Sequence, residues 1–158
     1  FVMREASVHV PLLIDVPGVE PGVRSELVEH VDLFPTLCEW VGAPVPETVQ
    51  GRSLVPLLGT APAPADWRDA VFSQIGDVFM IRTADAMLNV YGGEPGEYFD
   101  LATDPHEFTN RIADPACAGQ IAHLHALLLA WEQANQPSCG GQDRLSPDSE
   151  SRSPNMRT

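Results

Sequence analysis

The stretch Ala70-Val71-Phe72-Ser73-Gln74-Ile75-Gly76-Asp77-Val78-Phe79-Met80-Ile81-Arg82-Thr83 decides how the chain is organised. Two runs of aliphatic and aromatic residues flank Gly76-Asp77, a dipeptide suited to a two-residue hairpin. Met87 to Tyr91 and Tyr98 to Leu101 continue the pattern, separated by Ala84 to Ala86 and by Gly92-Gly93-Glu94-Pro95-Gly96. Short runs at this spacing predict consecutive antiparallel strands joined by tight turns. Gly92, Gly93 and Gly96 fall between two strands with no helix after them, so they predict a hairpin turn and not a phosphate cradle.

C-terminal to the strands, Asp104-Pro105-His106-Glu107 has the form of a helix start, with Asp104 at the N-cap, Pro105 at the first helical position and Glu107 completing a capping box. Asp114-Pro115 repeats the signal. Ile121, Leu124, Leu128 and Trp131 follow at helical spacing and predict an amphipathic helix laid across one face of the sheet. Residues 66–136 are thus expected to form an α+β subdomain: a four-stranded antiparallel sheet and a packed helix. From Pro137 to Thr158 the apolar content falls to Leu145 and Met156, which predicts a disordered tail over 137–158.

N-terminal to the strands, the segment from Ala43 to Ala65 carries Pro44, Pro46, Pro56, Pro62 and Pro64 and marks a boundary. Residues 1–60 form the other expected unit. Val8, Val10, Leu12 and Ile14 alternate and predict a strand, which Pro11 confines to an edge position or a strand start. Asp32 suits the N-cap of a helix that Gly42 ends, with Leu33, Phe34, Leu37 and Val41 sharing an inward face. Seen alone, these two segments would leave a large apolar patch, which calls for a covering partner.

The chain has 158 residues, 44% of them hydrophobic, enough for a buried core. Nine Lys+Arg against 22 Asp+Glu give a formal charge of -13, and every one of the nine is arginine. Such a surface repels a nucleic-acid backbone and an anionic membrane, so neither is an expected partner. The apolar runs Val10 to Ile14 and Leu127 to Ala130 fall far short of the roughly 20 residues that span a bilayer. The opening residues, with Arg4, Glu5 and His9 among apolar ones, resemble neither a signal nor a transit peptide, and the expectation is a piece of something longer. Cys38, Cys117 and Cys139 form an odd set without metal-type spacing and predict no disulfide framework, with Cys38 as a buried thiol. Cytoplasmic and periplasmic or secreted locations are both compatible with this composition, as is an oligomer.

His123 and His125 lie two apart, on different faces of a helix, and predict no chelating pair. His30 and His106 fall at or near helix starts and are expected to be structural. Asp100, Asp104 and Glu107 lack the spacing of a calcium loop. Capping accounts for Asp104 and Glu107. No Gly-x-Ser-x-Gly elbow and no phosphate-loop motif occurs. The residues themselves predict no catalytic group and no metal ligand.

Several segments together resemble the C-terminal part of the sulfatase family, within the alkaline-phosphatase-like superfamily. Glu5-Ala6-Ser7-Val8-His9-Val10-Pro11-Leu12 resembles the family's glutamate, small residues and Arg-Val-Pro-Leu strand; Val31-Asp32-Leu33-Phe34-Pro35-Thr36-Leu37 resembles its Val-Asp-Leu-Pro-Thr helix. Gln50-Gly51-Arg52-Ser53-Leu54-Val55-Pro56-Leu57-Leu58 is similar to its Gln-Gly-x-Ser-Leu-x-Pro-Leu-Leu stretch. Gly96-Glu97-Tyr98-Phe99-Asp100-Leu101 with Asp104-Pro105-x-Glu107-x-x-Asn110 is similar to its closing element. The segments stand in the family's order over about two thirds of the chain.

The resemblance implies the end of a large α/β sulfatase domain followed by the α+β subdomain, in a hydrolase of sulfate, phosphonate or phosphate esters. It also implies a formylglycine made from Cys/Ser-x-Pro-x-Arg and a divalent cation, commonly calcium, in the complete enzyme. Cys38, Cys117 and Cys139 are not followed by x-Pro-x-Arg, so this chain is expected to hold neither the nucleophile nor the cation ligands. The implied partner is the catalytic half, or another chain covering the apolar face. His9 stands where the family has arginine, and with Glu5 it is placed at the rim of the substrate pocket, the one substrate-binding candidate. A non-catalytic interaction module derived from a sulfatase is the alternative.

Overall fold

The computed structural model describes residues 3–135. The tail expected from Pro137 lies outside the described residues. Strands β1 (Ala70–Ile75), β2 (Val78–Thr83), β3 (Ala86–Tyr91) and β4 (Glu94–Asp100) form one antiparallel sheet in sequence order. Gly76 between β1 and β2, and Gly92 and Gly93 between β3 and β4, all adopt positive φ, the backbone that a two-residue hairpin turn requires.

The second turn is shorter than expected. Glu94, Pro95 and Gly96 belong to β4, where Val90 pairs with Pro95 and Asn89 with Glu97, leaving Gly96 as the extra residue of a bulge. Proline is tolerated because β4 is an edge strand whose missing donor breaks no inner ladder.

Side chains alternate along the strands and so build two cores, one on each face of the sheet. On one face Ile81, Leu88, Val90 and Tyr98 pack with Ile121, Leu124 and Leu128 of the long C-terminal helix, as expected from their spacing. Phe72 of β1 stacks on Trp131 of that helix at 4.9 Å between centroids. The other face carries Met80, Met87, Phe99 and Leu101, covered by Met3 with Val8 packed alongside. Asp114 caps the entry to the helix by accepting from the Ala116 N–H at 2.9 Å.

Three expectations are overturned. Val8 to Ile14 form no strand: Glu5–Val8 make a single helical turn, α1, closed by the His9 N–H on the Glu5 carbonyl at 2.9 Å, and the chain then runs irregularly. No neighbouring strand is present among the described residues for these residues to pair with, and Pro11 has no donor to offer. Asp104 starts no helix either. Residues 104–107 form a turn in which the Asp104 carboxylate accepts from the Thr109 N–H at 2.8 Å and Glu107 takes φ 56, so the side chain caps a turn instead.

The third concerns α2 (Leu33–Val41), which follows a 3₁₀ turn at His30–Asp32 and ends at Gly42 in the left-handed conformation, as expected. Its buried residues are Pro35, Thr36 and Cys38, whereas Phe34, Leu37 and Val41 are 52%, 55% and 76% exposed. Of the expected face only Leu33 packs inward; Phe34, Leu37 and Val41 point away from the other described residues. Beneath α2, Leu54, Leu57 and Trp67 make a small third core with Ile14, Val28 and Leu33. The C-terminal helix, Ala118–Asn135, is α3.

Candidate functional site

The residues of the family-like segments converge in two polar clusters, one under α1 and one under α2. The first is built where Met3–Val8 crosses the outer face of the sheet. The Arg4 guanidinium lies 4.2 Å above the Phe99 ring, donates to Glu97 Oε1 at 2.6 Å and donates to the Glu107 carbonyl at 3.1 Å. Glu5 accepts from Arg82 of β2 through both carboxylate oxygens, at 2.5 and 3.2 Å, a bidentate pair across two elements. Its backbone N–H donates to Glu107 Oε2 at 2.9 Å. Burial works against the Glu5 charge, yet the hydrogen bonds and charge of Arg82, with His9 beside it, hold its carboxyl below the usual glutamate range.

His9 follows α1 with its Nδ1 3.1 Å from Glu5 Oε2 and its side chain 71% exposed. The imidazole is thus oriented by Glu5, which Arg82 fixes in turn, and Nε2 has no partner among the described residues. Glu97 is the hub of the cluster, accepting from Arg4, from Asn89 Nδ2 at 3.0 Å and from the Tyr91 hydroxyl at 2.7 Å. Burial opposes its charge as well, and the donors from Asn89 and Tyr91 with the Arg4 charge outweigh it, so Glu97 also lies below its ordinary value.

The second cluster surrounds Asp32, which has no solvent exposure. Its carboxylate accepts from the backbone N–H groups of Glu29 and Arg52, at 2.7 and 2.8 Å, and from both terminal nitrogens of Arg68 at 2.7 Å. It therefore makes no N-cap bond to α2, contrary to expectation, because stronger donors reach it from the facing loop. Thr36 links the two segments a second time, donating to the Asp32 carbonyl at 2.6 Å and accepting from the Leu54 N–H at 2.8 Å. A Cβ on Gly51 would stand 2.0 Å from the Val31 carbonyl oxygen, so only glycine lets these chains meet.

The family resemblance pointed to Glu5 and His9 but not to the roles of Arg4, Arg82, Asn89 and Glu97. One signal was present: Arg82 and Asn89 are polar residues inside otherwise apolar strands. A polar side chain there must find a partner, which on the outer face is the α1 segment.

Every arginine among the described residues is committed: Arg4 to Glu97, Arg24 to the carbonyls of Leu57, Gly59 and Ala61, Arg52 to Asp66, Arg68 to Asp32 and Glu29, Arg82 to Glu5, and Arg111 to Asp100 and Asp114. Cys38 and Cys117 are buried free thiols. The residues do not fit a divalent cation. No three His, Cys, Asp or Glu side chains converge on one point among the described residues, and the carboxylates of Asp32 and Glu5 already face guanidinium groups. A cavity of about 240 Å³ is lined by Asp77, Phe79, Val90, His125, Leu128 and Glu132, with no residue of α1 among its walls. Chemically, the two clusters position backbone and hold elements together.

The model of the N-sulphoglucosamine sulphohydrolase C-terminal family matches residues 1–134. The multifunctional alkaline phosphatase superfamily protein PehA of Trinickia caryophylli is 29% identical over 164 aligned positions, covering 89% of this chain and 32% of that protein. Human arylsulfatase K is 32% identical over 123 positions, covering 68% of this chain and 23% of that protein. Among solved structures, the phosphonate monoester hydrolase of Silicibacter pomeroyi superposes with a TM-score of 0.69 at 32% identity, covering 77% of this chain and 28% of that one. A protein solved in complex with its substrate D-glucosamine-2-N,6-O-disulfate gives 0.60 at 28% identity, over 66% of this chain and 24% of that one. This chain therefore spans about a quarter to a third of the length of these relatives. The order of its segments, its sheet and helix and these matches lead to one conclusion: the chain belongs to the sulfatase C-terminal domain family of the alkaline phosphatase superfamily.

Proposed function

We propose that this chain is the C-terminal portion of a sulfatase-type hydrolase of sulfate, phosphonate or phosphate esters, closing one side of a site whose nucleophile and cation ligands lie outside these 158 residues. The observation that carries the proposal is the commitment of every described arginine to a carboxylate or carbonyl partner. A tetrahedral anion with developing charge needs cationic groups or a metal left free to meet it. The chain's own role is then to fix the segment Arg4 to His9. Within that site His9 stands at the pocket rim, oriented through Nδ1 by Glu5 and offering Nε2 to an anionic substrate. Calcium or another divalent cation belongs to the remainder of the enzyme. The exposed face of α2 is covered by that same remainder.

Two measurements test this. The coding sequence upstream of Phe1 should hold an in-frame Cys/Ser-x-Pro-x-Arg motif; a frame without one would favour a sulfatase-derived interaction module. In an aryl sulfate and phosphonate ester assay, the isolated chain should show no turnover above a buffer blank, with or without calcium. Turnover that disappears in His9→Ala would overturn the proposal and place the chemistry within this chain.

A further inference from the structure

We propose that Glu107 acts as a pH-governed latch whose carboxylic acid form holds the Met3–Val8 segment on the sheet. The inference goes beyond the hydrolase proposal and rests on the described residues alone. Glu107 holds the first turn of α1 from two sides: its carbonyl accepts from Arg4 and its Oε2 accepts from the Glu5 N–H. It does so from the left-handed region, at φ 56, where glycine would sit without strain. The side chain is what the position needs.

The remaining oxygen, Oε1, is buried and has no hydrogen-bond partner among the described residues, and the residue as a whole is only 8% exposed. A second buried acceptor, Asn89 Oδ1, is likewise unpartnered among the described residues, while the Asn89 amide nitrogen donates to the Met3 carbonyl and to Glu97. An ionised carboxylate with a bare buried oxygen is costly, whereas a proton on Oε1 makes that oxygen a donor. The surrounding charges favour the same form. Arg4 and Glu5 face Glu107 from α1 and Glu97 faces it from β4; Arg82 of β2 is engaged by Glu5. Within its own turn, Asp104 is bound to the Thr109 N–H and His106 lies against Phe108. Burial pushes the Glu107 carboxyl up most strongly. The charges of Glu5 and Glu97 add to this, and the Glu5 N–H and Arg4 offset only part of it.

The sign follows from linkage. A carboxyl whose folded pKa exceeds its unfolded one contributes stability that is fully present below the unfolded value and lost as pH rises through the folded value. Glu5 and Glu97 run the other way, contributing above the ordinary glutamate range and losing their contribution as pH falls through their lowered values. The latch therefore closes on the acid side and loosens as Glu107 ionises against Glu5 and Glu97.

Urea unfolding of the full chain and of Glu107→Gln, followed from pH 4 to 9, tests the latch. Glutamine keeps an acceptor for the Glu5 N–H and cannot ionise. Relative to the variant, the wild-type unfolding constant should rise with pH from the ordinary glutamate pKa upward, by at most about tenfold per pH unit, and level off where Glu107 ionises. A gap that stays constant with pH would overturn the proposal. Should the variant fail to fold, a ¹³C titration of the Glu107 side-chain carboxyl in the wild-type chain decides: a midpoint above the usual glutamate range supports the latch, and one at or below that range overturns it.

Discussion

The Asp32 carboxylate takes four hydrogen bonds at 2.7 to 2.8 Å, two from main-chain N–H groups and two from Arg68, in a site closed to solvent. Removing one partner of such a pair leaves a buried charge without compensation, which costs roughly 3 to 5 kcal/mol. Arg68→Ala should therefore lower the urea midpoint severely, and adding Asp32→Asn to it should recover part of the loss; equal midpoints for the single variant and the wild type would remove Asp32 from the list of structural anchors. The residue's motif, Val31-Asp32-Leu33, was legible in the sequence, but its partners were not. Capping is a local bond that spacing reveals, whereas Arg52 and Arg68 reach Asp32 across 20 and 36 positions. Gly51 is the complementary case. Its place in Gln50-Gly51-Arg52-Ser53-Leu54 marked it, and the approach to the Val31 carbonyl supplies the reason.

Helix α3 is the element whose behaviour follows most directly from its periodicity. Ile121, Leu124 and Leu128 recur on one side, and all three are buried against the inner face of the sheet. Leu128→Ala should cost about 2 to 5 kcal/mol, the range for emptying a fully buried leucine site, read as a shift in unfolding midpoint. A negligible shift would mean that the helix contributes nothing to the core. Periodicity misled at α2 because the same apolar face that signals burial says nothing about what buries it. Phe34, Leu37 and Val41 repeat correctly for a helix, and the described residues supply no surface for them. The Val8 to Ile14 run failed for a related reason: alternation describes a strand only when a neighbour completes its hydrogen bonds, and without one among the described residues Val8 and His9 join the i to i+4 bonds of a single turn while Val10 to Ile14 run irregularly.

At the scale of the whole molecule, apolar side chains flanking and within α2, including Val31, Trp40 and Val45, are exposed along with Phe34, Leu37 and Val41. Exposure of this kind marks an interface or an aggregation hazard. The isolated chain should bind a hydrophobic dye and self-associate as its concentration rises, and Leu37→Glu with Val41→Glu should reduce both without changing the unfolding midpoint, since neither side chain is buried in this chain. Sedimentation and dye titration at several concentrations would check this; unchanged association in the double variant would show that the contact lies elsewhere.

What the sequence by itself determined is the hairpin strands between Ala70 and Asp100 and the amphipathic helix Ala118–Asn135, consequences of interactions between residues near in the chain. It also determined the family, through segments whose glycine, proline and polar residues keep their order. Only the tertiary structure decided which side chains meet between those segments. Glu5 pairs with Arg82, Arg4 with Glu97, Asp32 with Arg68 and Glu107 with the Glu5 N–H, each across more than 30 positions. Electrostatic and hydrogen-bond partners are chosen by proximity in space, and proximity is set by burying both faces of a four-stranded sheet, one beneath α3 and one beneath the segment that carries Met3, Arg4 and Glu5.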